Sequence, residues 1–100
     1  MIVFEIPLNP DNQMFNIEIA GTRWRMSVIW REVWWVMNLA DSSGNALING
    51  IPLVTGVDLL AQYAWLGFNF QLSVSCDDSA QVYPGKTDLG IRSHLYVITE

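Results

Sequence analysis

A single cysteine, Cys76, leaves no partner for an internal disulfide, so no covalent framework holds the fold. It ends an alternating strand-like stretch, where a small buried thiol fits without special chemistry. Charge is scarce as well: charged residues are 15% of the chain, against about 25% in typical globular proteins. Five basic residues face ten acidic ones, a net charge of -5, which argues against phosphate-backbone binding because that depends on clustered lysine and arginine. Arg23, Arg25 and Arg31, interleaved with Trp24 and Trp30, read as a solvated strand face and not as a nucleic-acid groove.

Catalytic groups are equally sparse. His94 is the only histidine, and it opens an apolar strand, where a hydrogen-bonded structural role is the simpler reading. Serine and aspartate are present without a G-x-S-x-G context, so nothing assembles a triad. Asp77, Asp78 and Asp88 have no Ca²⁺-loop spacing, and "PGK" at Pro84 to Lys86 is far from a phosphate loop. No enzyme, metal or cofactor is expected. The start "MIVFEIPLNP" lacks a basic n-region and reaches Glu5 and Pro7 too early for a secretory signal. The uncharged run from Leu59 to Cys76 has membrane-span length, but Gln62, Asn69, Gln71, Ser73 and Ser75 interrupt it, so no membrane segment is expected.

Apolar residues are abundant. They make up 51% of the chain and include Trp24, Trp30, Trp34, Trp35 and Trp65. One domain over residues 1–100 is the expectation, since about two thirds of the unfolded surface is buried at this length. The remaining polar surface is thin, which points to apolar surface covered by a partner, although a small β-domain also uses tryptophan as core filler.

Strand-like alternation recurs at Ile2 to Leu8, Phe15 to Ile19 and Arg23 to Arg31. The third places Trp24, Met26, Val28 and Trp30 on one face. "VWWVMNLA" is apolar on both faces, as in a strand covered on both sides or lying at a contact. "ALINGIPLV" reads as extended and interrupted by Gly50 and Pro52. Thr55 or Asp58 then caps a short α-helix through "VDLLAQYAWL", stopped by Gly67. Leu59, Leu60, Tyr63 and Leu66 belong to its core side, whereas Val57 and Trp65 point elsewhere. Phe68 to Cys76 alternates most cleanly, and "SHLYVITE" closes the chain. The expected architecture is mainly β: a compact β-barrel or rolled sandwich with one short inserted α-helix.

The segment "GIPLVTGVDLLAQYAWLG", with Gly50, Ile51, Pro52, Leu53, Thr55, Gly56, Leu59, Leu60, Tyr63 and Gly67, resembles the central signature of the phage baseplate plug proteins of contractile-tailed phages. "FEIPLNPDNQMFNIEIAGTRWRMSVIW", "DSSGNAL" and "DLGIRSHLYVI" extend the resemblance over nearly the whole chain. "AGT" stands where an Asn-Gly type turn is expected, and Asp88 where asparagine is more familiar. The resemblance implies a structural virion protein assembled in the host cytoplasm. It would pack with the hub, tail-tube and spike proteins at the distal end of the tail tube, as a homo-oligomer, and help close the channel before contraction. The docking residues expected for this role are Ile51, Pro52, Leu53, Val54, Val57, Trp65 and Trp34. The rival reading is a small ligand-binding β-barrel whose tryptophans line a pocket.

Overall fold

The computed structural model describes residues 1–99, and the side chain of Ala64 lies outside that description. The strand order is β1 (Ile2–Ile6), β2 (Gln13–Ile19), β3 (Thr22–Arg31), β4 (Trp34–Asp41), β5 (Ala46–Pro52), β6 (Phe70–Cys76) and β7 (Ser93–Thr99). Glu100, the end of the expected last strand and of the expected domain, lies outside the described residues.

β2, β3, β4 and β5 form an antiparallel meander, and β1, β7 and β6 form a second antiparallel sheet with β7 in the middle. The mainly β expectation is borne out. The expected barrel is not: no pairing among the described residues joins the two sheets into a closed ring. Instead one core cluster draws Met26, Val28, Trp35, Met37 and Leu39 from the first sheet and Leu72, Val74, Leu95 and Val97 from the second. β3, β6 and β7 thus bury one face by their period-2 alternation.

Tight turns fix the meander's register. Ile19 pairs with Thr22 across Ala20–Gly21, whose φ values of 53° and 83° are both left-handed, as a two-residue hairpin turn of type I′ requires. Ala20 is strained there, because its Cβ crowds the following carbonyl. The β3–β4 turn is also two residues long, Glu32–Val33, with Glu32 at φ 67°.

β5 departs from simple alternation. Leu39 pairs with Ile48 and Met37 with Ile51, so two steps on β4 match three on β5, a bulge at Asn49–Gly50 with Gly50 at φ 80°. The extra residue lets Ile48 and Ile51 both face inward despite their odd spacing; they are 2% and 7% exposed. Gly50 N–H donates to Asn38 Oδ1 at 2.8 Å, and Asn38 Nδ2 donates to Ser27 Oγ, which ties the bulge to the meander.

The inserted α-helix is corrected by the structure. Ala61–Leu66 is a short 3₁₀ segment, with Ala61 N–H donating to Asp58 O and Tyr63 N–H to Leu60 O. Tyr63 at φ −116° breaks it into two tight turns. The physical reason is tethering: Leu59 N–H donates to Leu72 O, and the chain must re-enter β6 at Phe70, leaving no run long enough for i→i+4 bonds to propagate. Leu60, Tyr63 and Leu66 repeat every three residues, which fits a 3₁₀ period as well as an α-helical face. No helix among the described residues is long and apolar enough to cross a membrane.

Between β6 and β7 the long 77–92 loop is organised by Asp88. Its carboxylate accepts from Gly85 N–H at 2.7 Å, Ser93 Oγ–H at 2.9 Å and Gln81 Nε2 at 2.9 Å. Burial opposes ionisation, but these donors and the Arg92 charge outweigh it and hold the carboxyl below its ordinary value. Trp35 Nε1–H donates to Gly85 O at 2.8 Å and pins the loop to the core. At its end Gly90 passes so close to the Leu8 carbonyl that an added Cβ would collide with it.

Candidate docking face

The face is built from the chain that leaves β5. Leu53 N–H donates to Trp35 O and Thr55 N–H to Val82 O, so residues 53–55 run between β4 and the 77–92 loop. This routing alternates the side chains. Ile51 and Leu53 turn inward, at 7% and 0% exposed, while Pro52 is exposed and Val54 half-buried.

Asp58, the lone charge between Gly50 and Gly67, has a defined local task. Its Oδ1 accepts from Leu60 N–H at 3.0 Å and from Leu72 N–H at 3.2 Å, capping the turn and fastening it to β6. The expected cap is therefore present, serving a 3₁₀ turn and a strand edge together.

Against this segment opens a groove of about 480 Å³ whose lining includes Trp34, Pro52, Val54, Val57, Tyr63 and Tyr83. Ile51 contributes to its floor. The Trp34 and Tyr83 rings lie 5.7 Å apart at an interplanar angle of 38° and form its aromatic wall. Asp58 is the one charged residue in the lining, and its carboxylate is engaged by two backbone donors. Such a surface fits apolar side chains presented by a partner and gives no orientation to a charged ligand.

Five of the seven expected docking residues, Trp34, Ile51, Pro52, Val54 and Val57, are thus brought together. Leu53 is not available: burial in its own core, where it completes the packing beside Trp35, removes it from any docking surface. Ile51 offers a partner little more than its edge. Trp65 is 78% exposed but stands outside the groove lining. Tyr83 was not expected. The apolar pair Val82–Tyr83 inside a polar loop was its only signal in the sequence, and Tyr63 serves both the core edge and the groove.

The remaining tryptophans are divided. Trp35 is 1% exposed and packs edge-on to Trp30 with centroids 5.4 Å apart. Trp24 packs on Phe68 and Phe70, and its indole N–H is buried without an acceptor among the described residues.

His94 and Cys76 are not part of the groove lining. His94 Nδ1 is 2.8 Å from Glu5 Oε2 and its Nε2 is 3.2 Å from Asp77 Oδ1. The hydrogen bond to Glu5 leads in raising its pKa, burial opposes this, and the charges of Glu5 and Asp77 add to the rise. The histidine thus joins β1, β7 and the end of β6. Burial and the carboxylates of Asp88, Asp77 and Asp78 push the Cys76 thiol up, so it stays protonated. No group of three or more metal-ligating side chains is placed to hold an ion among the described residues.

Two antiparallel sheets pack around one filled core, and an open groove walled by aromatic rings lies on its surface: a small two-sheet β module. The family model described as "Cyanophage baseplate Pam3 plug gp18" matches residues 3–100. The chain belongs to this family of baseplate plug proteins, structural components of the virion tail baseplate that associate with other baseplate proteins. No curated protein matches the chain.

Proposed function

We propose that the chain acts as a single plug domain packed against the hub at the distal end of the tail tube. There it helps close the channel before contraction, with tail-tube and spike proteins as neighbours and further copies of itself in the assembled tail. Assembly takes place in the host cytoplasm. The observation that carries this reading is the groove: the signature segment that marks the family supplies Pro52, Val54, Val57 and Tyr63 to one exposed apolar surface. The acidic balance of the chain suits a channel that DNA must pass without sticking. The rival ligand-binding barrel needs a closed, hollow interior. Here the sheets do not close, and the space between them is filled by side chains.

The test is light scattering on the purified chain mixed with the tail-tube and hub proteins encoded beside it. A stoichiometric complex is expected, weakened at least tenfold by Trp34→Ala with Val57→Asp, because central aromatic anchors dominate interface energy. A chain indifferent to those partners, or a double variant that assembles unchanged, overturns the proposal. Trp65→Ala serves as a comparison outside the groove and is expected to assemble normally.

A further inference from the structure

The sheet edges are finished in different ways. β6 is covered along its outer side by the Thr55–Val74 bridge and the bonds from Leu59 and to Asp58. β5 carries the bulge and ends in Pro52, and β2 sets Asn16 and Glu18 among its apolar residues. Charge, proline, bulges and covering segments are the usual means of blocking a free edge. β1, like β2, has one charge, here Glu5, and none of the other devices; its exposed apolar side chains set it apart. It pairs with β7 on one side only, and Ile2, Val3 and Phe4 are 60%, 51% and 38% exposed.

The register shows which way these side chains face. Phe4 lies beside Val97, which lies beside Leu72, and the last two are fully buried; Ile2 lies beside Thr99, which lies beside Phe70. Ile2 and Phe4 therefore lie on the core face of their sheet, in line with buried Ile6, yet stay exposed. Among the described residues, a strip of uncovered apolar side chains thus runs beside a strand edge that pairs with nothing else.

We propose that β1 pairs antiparallel with β1 of a second copy about a two-fold axis through Phe4, joining two three-stranded sheets into one of six. In this register Phe4 opposes Phe4, Ile2 opposes Ile6 and Val3 opposes Glu5 of the second copy. Charge favours this occupant. The strand's one carboxylate, Glu5, already has His94 of its own chain at 2.8 Å, and the register sets each Glu5 opposite a valine, so no like charges meet despite the net charge of -5. The strand is self-complementary, and each copy's Ile2 and Phe4 cover the other's.

This deepens the self-association part of the proposed function, but it uses the β1 edge, whereas hub docking uses the groove. Mass is measured by light scattering on the purified chain alone over a dilution series. The expected result is twice the chain mass of 11.3 kDa. The double variant Ile2→Lys, Phe4→Lys is expected to fall to the single mass while still joining the hub complex. Oxidative cross-linking gives a second readout in a Cys76→Ser background. Phe4→Cys is expected to form disulfide-linked dimers, because directly opposed residues lie within about 4.5–5.5 Å between Cα atoms, inside disulfide range. Met14→Cys, exposed on the β2 edge, is expected not to. A monomer at every concentration, a dimer indifferent to the lysines, or equal cross-linking at both cysteines overturns the proposal. If the lysine variant fails to fold, the wild-type mass and the cross-linking still decide it. A wild-type dimer that does not join the hub would instead count against the groove and leave the β1 pairing standing.

Discussion

β1 and β6 flank the same central strand, β7, yet one edge is closed and the other open. β6 is closed by a segment that reaches it before β6 itself begins: Thr55 bridges Val74, and Asp58 accepts the Leu72 N–H. β1 has no such cover and shows apolar side chains on both faces. Covering an edge thus takes a few well-placed polar groups, here one carboxylate and two backbone bonds. The open edge is held from its side chains instead, through Glu5, His94 and Asp77.

The contrast can be broken from the closed side. Leu53→Ala should have the largest effect, about 2–5 kcal/mol by denaturant unfolding, since it empties a fully buried site under the covering segment. Asp58→Ala should cost about 1–3 kcal/mol because it leaves the Leu60 and Leu72 N–H groups without their acceptor. Hydrogen exchange should then speed up at Leu72 and stay unchanged along the β1–β7 ladder.

At the His94 cluster on the open side and at Asp88 in the 77–92 loop the effects are smaller and depend on pH. The His94 pKa is raised by folding, so its stabilising contribution is complete below its unfolded value of about 6.5 and is lost as pH rises through the folded value. His94→Gln should remove that slope in stability measured from pH 6 to 9. Asp88 has the opposite sign: its pKa is lowered, so its contribution is present above its unfolded value of about 3.9 and is lost as pH falls through the folded value. Asp88→Asn should reduce acid sensitivity, and the mismatch of its amide with Gln81 Nε2 should appear as a lower stability at neutral pH. The smallest change is expected from Val3→Thr on the open edge, within about 0.5 kcal/mol for the isolated chain.

Much of the strand layout was legible in residue order. Alternation marked β1, β2, β3 and β6, apolar runs marked β4 and β7, and the short turns at "AGT" and "DSSGN" marked two of the hairpins. Two features escaped for physical reasons. The bulge at Asn49–Gly50 breaks the period-2 rule, so Ile51 and Leu53, counted as docking residues, are drawn inward. The 3₁₀ segment shared its apolar spacing with an α-helix, and only the ties from Leu59 and Asp58 to Leu72 decide between them. Tyr83 reached the groove because Thr55 and Trp35 bind the 77–92 loop beside it, a contact no local pattern announces.

The sequence by itself determined that the chain is β-rich, short of charge, without a disulfide and similar to the plug family over residues 3–100, because composition and period are local properties. Tertiary structure alone decided that Trp34 faces out and Trp35 in, that Leu53 is core while Val54 and Val57 face the groove, and that β6 is covered while β1 is bare. Those outcomes depend on which distant backbone groups pair, and pairing between residues far apart is fixed only when the whole chain has closed around one core.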